Sequence, residues 1–402
     1  MNLLDSASLV VTPNGYKASK LYSIVPTDGT GDMTFARTGD TATRVNSSGL
    51  IESVTANKPR LDYFNSTCPK LLLEPQRSNL FLRSEEFNLS PWDTISTATV
   101  TANAIASPSG SVNADKLVEN TASSNHFIYQ TVTLADNTDY TFTCFVKAGE
   151  RTLVDMRIQA KTTLYLDNIN LTTGVATSGT LTSYGNGWWR YSRTINSGTG
   201  STTPFFSPWL RNASGNVNYT GDGTSGIYLW GVQVEAGAYA TSYIPTTTAS
   251  VTRNADLASL ASATALIGQT EGTIFWDVNI YGVGQVYESL LNIDNGSFGD
   301  TINLATANTI NFGVYDNGVI QASGSIAATI GRHKIALAYK ANDFVFYVDG
   351  VLRHTDTSGT IPTLNRIQLG NGALGPSQSH INSAALWKTR LQNSELATLT
   401  SL

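Results

Sequence analysis

The chain has 402 residues, enough for two or three domains that each bury a core of their own. Only 14% of the residues are charged, against about 25% in an average soluble protein, so long helices are disfavoured and β-sheets with hydroxyl- and amide-covered faces are favoured. The net charge of −5 comes without a basic block or an Arg-rich stripe, which argues against nucleic acid as a ligand.

The first predicted unit covers residues 1–78. Short apolar runs at 9–11 and 22–25 are separated by turn-rich segments, and two further strands are expected around the Asn-Ser-Ser-Gly turn at 46–49. Because this unit is short and poor in apolar residues, we expect that it cannot hold a large independent core. It should need neighbouring chains or the next domain for its stability.

The second predicted unit covers residues 79–247. Stretches with strand-like alternation recur in it, and turn signals such as Gly-Asn-Gly at 185–187 separate them. The predicted strands are 126–134, 140–147, 153–159, 164–171, 188–195, 205–210 and 226–234. Seven or more strands at this spacing, without helices, predict an antiparallel sandwich of two sheets or a jelly roll.

A connector is predicted at residues 248–268, where the Ala/Ser/Leu-rich part at 255–267 is expected to form one or two turns of helix. Residues 269–402 form the third predicted unit, which is again rich in strands. Its predicted strands are 273–281, 288–293, 301–305, 309–315, 320–325, 332–340, 343–348, 366–370 and 381–387.

Two hairpin turns and one helix stand out in the third unit. The turns at 316–318 and 348–351 contain Asn-Gly and Asp-Gly, which tolerate the positive φ of a type I′ turn. The helix is predicted near the end of the chain, with Asn393 or Ser394 as its cap and with Leu396 and Leu399 on one face.

No arrangement of residues in the sequence predicts catalysis. Glycoside hydrolysis needs paired carboxylates about 5–9.5 Å apart, whereas Glu85 and Glu86 are adjacent and would point to opposite faces of a strand. The four histidines have no partners at metal-ligand spacing. Cys68 and Cys144 could be core thiols or one disulfide, but not a disulfide framework. We therefore expect a protein that is not an enzyme.

Aromatic residues are concentrated in the second unit, where they could stack on sugar rings. Trp209 and Tyr219 lie near predicted loops, where contact with a ligand and ordinary packing are equally open. Trp188 and Trp189 are adjacent, so one ring should face the core and the other solvent if the segment is a strand. The candidate glycan-binding residues are Trp209, Tyr219 and Trp189.

Three local patterns resemble known families. Residues 33–81 resemble the amino-terminal signature of bacteriophage tail-fibre and head-fibre structural proteins, with Ala-Thr-Arg-Val-Asn at 42–46 and Leu-Leu-Leu-Glu-Pro-Gln-Arg-Ser-Asn-Leu at 71–80. The second unit resembles the carbohydrate-binding-module jelly rolls of the same proteins, and the third resembles laminin-G/concanavalin-A-like sandwiches. The matching segments are 83–87, Trp92, 114–117, 145–151, 187–190 and 226–256 in the second unit and 331–337, 346–350 and 385–387 in the third.

The resemblance implies an all-β virion surface protein, a fibre or spike subunit, in which a short attachment unit precedes two antiparallel β-sandwich domains. Residues 1–78 would contact other virion proteins at the capsid vertex or tail, trimers are usual in the resembled group, and a host cell-surface glycan would be the receptor. The sequence has no secretory signal and no apolar run near the roughly 18 residues of a membrane span. That fits a virion protein made in the host cytoplasm and released by lysis.

Two alternatives stay open at this point. The protein could be a purely structural capsid or vertex decoration protein without glycan binding. It could also be a carbohydrate-binding accessory module of a bacterial adhesin or glycanase.

The resemblance also implies a structural calcium ion, since such jelly rolls often hold one between the sheet edge and the chain ends. Residue matching places Glu86 (or Glu85) near the start of the unit, Asp115 in the next strand region and Glu235 near its end. Oxygen ligands of this kind suit Ca²⁺. The alternative is that these carboxylates lie on the surface or pair with nearby basic side chains. No other cofactor is expected.

Overall fold

The computed structural model describes residues 3–13, 15–17, 19–94, 97–281, 288–370 and 379–402. Apart from a short 3₁₀ turn (Leu3–Ser6) and one helix, α1 (Asn393–Thr400), the regular structure of these residues is β. The predicted all-β class is therefore confirmed. Among the described residues, none of the helices has the length and apolar character that crossing a membrane requires.

The strands follow one another in short steps along the chain. In chain order they are β1 (Leu9–Val11), β2 (Tyr16–Lys17), β3 (Lys20–Leu21), β4 (Met33–Ala36), β5 (Ala42–Val45), β6 (Ile51–Val54), β7 (Arg60–Asp62), β8 (Lys70–Leu73), β9 (Arg77–Asn79), β10 (Asp93–Thr94), β11 (Ala98–Ala106), β12 (Val112–Glu119), β13 (Ser123–Asn125), β14 (Ile128–Thr131), β15 (Asp139–Ala148), β16 (Leu153–Gln159), β17 (Leu164–Asn170), β18 (Val175–Ala176), β19 (Thr180–Ser183), β20 (Trp188–Asn196), β21 (Phe205–Arg211), β22 (Asn218–Thr220), β23 (Gly226–Ala236), β24 (Val251–Arg253), β25 (Leu257–Leu260), β26 (Glu271–Ile280), β27 (Glu288–Asp294), β28 (Thr301–Thr306), β29 (Thr309–Asp316), β30 (Val319–Ala327), β31 (Gly331–Lys340), β32 (Asp343–Val348), β33 (Val351–Asp356), β34 (Arg366–Leu369) and β35 (Ser379–Trp387).

The chain divides into two compact units. Unit 1 consists of residues 1–40, 54–76 and 254–402, and unit 2 of residues 41–53 and 77–253. The described strands of unit 1 form an eight-stranded sheet, β33-β32-β31-β26-β35-β8-β7 with β1 also on β35, and a nine-stranded sheet, β2-β3-β4-β25-β34-β27-β28-β29-β30. Their inward side chains share one core, which includes Leu9, Leu71, Trp276, Ile293, Leu304, Phe312, Leu337 and Phe346.

Unit 2 is also a sandwich. Within the described ranges it has two six-stranded sheets, β10-β14-β21-β16-β17-β18 and β11-β12-β23-β15-β20-β19, whose pairs are antiparallel. Both sheets contribute to one core, which includes Phe142, Val146, Met156, Ile158, Phe206, Leu210, Leu229 and Val232. The predicted two-sheet antiparallel sandwich is confirmed for this part of the chain.

The two sheets of unit 2 differ in what lies on their outer faces. In the β11-to-β19 sheet, called the covered sheet here, every residue of β15 from Tyr140 to Val146 is buried, and so are the outward Trp230 and Glu235 of β23. In the β10-to-β18 sheet, called the open sheet, buried residues alternate with half-buried and exposed ones along β16, β17 and β21. The open sheet therefore presents one face of side chains to solvent.

The division into units differs from the predicted boundaries. Residues 1–40 and 54–76 belong to unit 1, where β1 and β8 both pair with β35, whereas residues 41–53, 77 and 78 belong to unit 2. The shortage of apolar residues in the first 78 positions explains this arrangement, because short strands without a core of their own gain most by adding to an existing sheet.

The predicted connector contains strands. Leu257–Leu260 pairs with both Met33–Ala36 and Arg366–Leu369 in unit 1, and Val251–Arg253 pairs with Arg77–Asn79 in unit 2. The helical turns expected at 255–267 are present only in part: 257–260 is extended, whereas the N–H groups of Leu266 and Ile267 donate to Ala263 O in a single turn. Pairing with strand edges outweighs the weak helix preference of a short Ala/Ser-rich segment.

The local features of unit 1 agree more closely with the sequence. Asn317 and Gly318 have φ of 50° and 78°, and Asp349 and Gly350 have φ of 54° and 77°, which confirms both predicted I′-type hairpins. The predicted helix is present, but its N-cap is Gln392 rather than Asn393 or Ser394. A capping box with Glu395 replaces the expected cap.

The cysteines are not bonded to each other. Among the described residues Cys68 is exposed and Cys144 is buried, and both are free. Burial raises the pKa of the Cys144 thiol, so this side chain behaves as a small apolar residue of the core.

Candidate ligand-binding site

The outer face of the open sheet carries a group of polar and aromatic side chains. Because side chains alternate along a strand, Asp155 and Arg157 of β16 point outward together, as do Trp209 and Arg211 of β21. The strand register sets Asp155 opposite Trp209 on one side and opposite Asn168 of β17 on the other. These side chains are therefore neighbours across three strands.

The indole of Trp209 is covered on both faces. The guanidinium of Arg157 lies 3.4 Å from the centre of the Trp209 ring, and Phe127 stacks on the same ring with centroids 4.0 Å apart and planes at 6°. Two groups this close to one ring cannot lie on the same side of it. Trp209 Nε1 also donates to Ser207 Oγ at 2.8 Å. The indole thus supports Arg157 and offers no free face for stacking a sugar.

Arg157, which contacts the Trp209 ring, is also held by the carboxylate of Asp155. Arg157 Nε donates to Asp155 Oδ2 at 2.9 Å, and Arg157 Nη2 lies 2.8 Å from the same oxygen. The Asp155 residue is only 4% exposed, and its second oxygen, Oδ1, has no hydrogen-bond partner among the described residues. A buried acceptor left without a donor costs about 1–3 kcal/mol.

Asp155 and Arg157 line a cleft of about 370 Å³, called the open-sheet cleft here. Its other lining residues are Asn168, Arg211, Gly215, Asn216, Val217 and Asn218. Arg211 is fixed in the wall, since its Nε donates to Gly215 O at 2.7 Å and its Nη1 donates to Asn168 Oδ1. The cleft therefore combines one carboxylate, two guanidinium groups and several amides on a rigid sheet, which together supply both donors and acceptors.

The three predicted glycan-binding aromatics are not brought together. Trp209 belongs to the open sheet, Trp189 to β20 of the covered sheet, and Tyr219 to β22. Trp189 is half-buried, and its Nε1 donates to Leu171 O at 3.0 Å. Only Trp209 borders the open-sheet cleft, through its contact with Arg157.

Tyr219 is a packed side chain and not a surface platform. It is 8% exposed, its hydroxyl donates to Glu119 Oε2 at 2.6 Å, and its ring contacts His126 and Arg151 with centroid distances of 4.8 and 5.3 Å. Burial and the contact with Glu119 raise the pKa of the Tyr219 hydroxyl. Burial alone would raise the pKa of Glu119, but the hydrogen bonds from Arg151 and Tyr219 lower it overall.

The three carboxylates predicted to hold calcium have separate partners. Glu86 accepts from Arg83 Nη1 at 2.7 Å. Asp115 accepts the backbone N–H groups of Phe87 and Asn103 at 2.8 and 2.9 Å, and burial raises its pKa. Glu235 is fully buried and accepts from its neighbours Gln233 and Thr241.

The structure therefore gives each of the three carboxylates a partner within the protein, and calcium binding by them stays a prediction. Within the described ranges, no group of three or more His, Cys, Asp or Glu side chains is arranged to hold a metal ion. Two backbone N–H groups, those of Phe87 and Asn103, donate to the Asp115 carboxylate.

Most residues of the open-sheet cleft were not predicted from the sequence to form a site. Asp155, Arg157, Asn168, Arg211 and Phe127 were not among the residues predicted to form a site. A signal was present, because Asp155 and Arg157 are two positions apart in a predicted strand, as are Trp209 and Arg211. Period-two spacing of polar residues marks the outer face of a strand, but it does not show which strands are neighbours.

Comparisons with known proteins are limited to remote structural likeness. No family model and no curated protein sequence matches the chain. The sialidase module CBM40 of Ruminococcus gnavus, solved with α2,3-sialyllactose, aligns at 17% identity over 35% of this chain and 87% of its own, with a TM-score of 0.31. The binding domain of botulinum neurotoxin DC, solved with rat synaptotagmin II, aligns at 10% identity over 36% of this chain and 40% of its own, also with a TM-score of 0.31. TM-scores this low assign no ligand or activity to this chain.

Proposed function

We propose that the protein is a non-enzymatic attachment protein that binds a glycan in the open-sheet cleft. The observation that carries this proposal is the buried carboxylate of Asp155, whose Oδ2 is held by Arg157 and whose Oδ1 has no partner among the described residues. A ligand for this site must donate to an acceptor and accept from nearby donors. Hydroxyl groups do both, and sugars carry them in closely spaced arrays.

The shape and rigidity of the cleft support the same ligand class. A volume of about 370 Å³ lies within the range of roughly 300–1,000 Å³ that is common for small-molecule sites. Arg157 is fixed between Asp155 and the Trp209 ring, so its guanidinium loses little freedom when a ligand binds. Trp209 then acts as a positioning residue rather than as a sugar-stacking surface.

Replacing Asp155 tests the glycan proposal. Asp155→Asn is expected to weaken glycan binding by about 10- to 100-fold, because hydrogen bonds to charged groups contribute about 1.5–3 kcal/mol. A panel of host-surface glycans would identify the best wild-type ligand, and isothermal titration calorimetry would then compare the variants.

Asp136→Asn is the matched control, since Asp136 is an exposed carboxylate of the same unit that pairs with Lys161 and does not line the cleft. It should bind as wild type does. The proposal fails if the wild type binds no glycan of the panel, or if Asp155→Asn binds as tightly as Asp136→Asn.

The finer proposal is that this attachment protein is a fibre or spike subunit on a bacteriophage virion, assembled as a trimer and joined to other virion proteins through residues 1–78. Its support is the resemblance of residues 33–81 to fibre proteins. Mass spectrometry of purified particles should detect the chain, and sedimentation of the isolated protein should give the mass of a trimer. A chain that is absent from particles and sediments as a monomer would contradict this role and favour the accessory-module alternative.

Deletion of residues 1–78 is a poor test of attachment. Leu9 and Val11 of β1 and Leu71 and Leu73 of β8 lie in the core of unit 1, so the deletion would unfold that unit.

If particles contain the chain but it binds no glycan, the purely structural decoration role is the better assignment.

A further inference from the structure

A second cleft in unit 2 has a different chemical character from the open-sheet cleft. It has a volume of about 410 Å³ and lies beside the covered sheet. Its polar and aromatic lining includes Lys147, Tyr184, Trp188 and Tyr228, and its apolar lining includes Leu50 and Pro108. We call it the lysine cleft. It shares no lining residue with the open-sheet cleft.

The strand register places a cation between two aromatic rings. Lys147 of β15 lies opposite Trp188 of β20 on one side and opposite Tyr228 of β23 on the other. Residues that pair across neighbouring strands share a face of the sheet. Trp188 is held in place, since its Nε1 donates to Ala106 O at 3.1 Å. The cleft thus has a fixed aromatic wall next to the lysine.

No residue that the structure describes balances the charge of Lys147. The same row of the sheet holds a second lysine, Lys116, directly opposite Tyr228. Lys116 Nζ lies 2.8 Å from Glu150 Oε2 and donates to Thr224 O at 3.0 Å. Lys147, by contrast, makes no side-chain hydrogen bond or ion pair with any residue that the structure describes. An ammonium group without a counter-ion attracts an anion, and the attraction grows where the surroundings are less polar than water.

The other lining residues indicate what the uncharged part of the ligand would be. Leu50 and Pro108 provide an apolar surface, and Tyr184 and Tyr228 provide aromatic carbon. A bare inorganic anion would leave this surface unused. A pyranose has C–H faces that pack on aromatic rings, and it can carry a charged substituent.

We propose that the lysine cleft binds an anionic sugar, whose carboxylate or phosphate group contacts Lys147 and whose ring packs against Tyr228 and Tyr184. This site is separate from the open-sheet cleft and does not depend on the glycan proposal for that cleft. The carboxylate and the phosphate share the required chemistry, which is a negative charge next to a ring with an apolar face.

Titration with three probes tests this inference. Wild-type protein should bind glucuronate or a phosphorylated glucose, as measured by saturation-transfer NMR, and should bind neutral glucose at least about tenfold more weakly, since an ionic contact contributes about that factor or more. Which of the two anions binds more tightly identifies the charged group. Binding of the anionic probe should also weaken as salt concentration rises.

Lys147→Met should lose about tenfold or more in affinity for the anionic probe. Lys116→Met, the neighbouring lysine that does not line the cleft, should lose much less. Asp136→Asn, at an exposed carboxylate that lines neither cleft, should leave binding of this probe unchanged. Circular dichroism would confirm that each variant folds.

Three results would overturn the inference. They are the absence of binding by both anions, equal affinity for glucose and the anions, and equal losses in Lys147→Met and Lys116→Met.

Discussion

Asp256→Asn should destabilise unit 1 by about 3–5 kcal/mol, because it breaks a buried ion-pair cluster. Arg37 Nη1 donates to Asp256 Oδ1 at 2.9 Å, Arg60 donates to Asp256 Oδ2, and Arg60 Nη1 donates to Glu74 Oε2 at 2.6 Å. The four side chains are at most 1% exposed. In the variant, the buried guanidinium groups of Arg37 and Arg60 would share the remaining carboxylate of the cluster, that of Glu74. Chemical denaturation gives the loss, and hydrogen exchange in Met33–Ala36, Arg60–Asp62 and Leu257–Leu260 localises it.

Glu271→Gln is the control for this result. Glu271 pairs with Lys340 at 3.5 Å in the same unit, but the two side chains are 33% and 57% exposed. Exposed pairs contribute about 0–1 kcal/mol, so this variant should unfold almost as wild type does. If the two substitutions had the same effect, the buried cluster would not be holding its three chain segments together.

Phe142→Ala should destabilise unit 2 by about 3–5 kcal/mol, because it leaves a cavity in a packed aromatic cluster. Phe142 is fully buried, and its ring centroid is 5.9 Å from that of Phe81 and 6.3 Å from that of Phe206. The Phe81 ring also contacts Trp92 at 6.1 Å. The truncation therefore removes a partner from Phe206 of the open sheet and from Phe81, which lies outside both sheets. Equilibrium unfolding in guanidinium chloride measures the effect.

Phe205→Ala is a matched control for the core truncation. Phe205 precedes Phe206 on β21 and points to the outer face of the open sheet, where it is half-buried. The same atoms are removed, but they leave less apolar surface without partners, so the loss should be clearly smaller. Equal losses for the two phenylalanines would mean that the outer face of the open sheet is as tightly packed as the core.

The sequence predicts the structure best where a few adjacent residues decide it. The run at 153–159 was predicted with the bounds of Leu153–Gln159, and the Asn317-Gly318 and Asp349-Gly350 hairpins were placed correctly. The sequence predicts it less well where distant segments meet. Arg37, Arg60, Glu74 and Asp256 look like isolated charges in the sequence, although they form one cluster across 219 positions.

The contacts at the candidate sites were likewise not predicted from the sequence. Trp209 was singled out because aromatic rings bind sugars, yet its two faces are occupied by Phe127 and Arg157. Tyr219 was singled out for the same reason and is buried against Glu119. Composition and residue type could not reveal this, because they do not show what packs on a ring.

The sequence by itself determined the all-β class and the tight turns, since period-two alternation and tolerance of positive φ act over only a few residues. Only the tertiary structure decided that β1 and β8 join the sheet of unit 1, and that Asp155, Arg157 and Trp209 meet on one face. Pairing between strands that are far apart along the chain depends on which edges are left open and on the register that buries the apolar faces. Neither is a property of any single stretch of sequence.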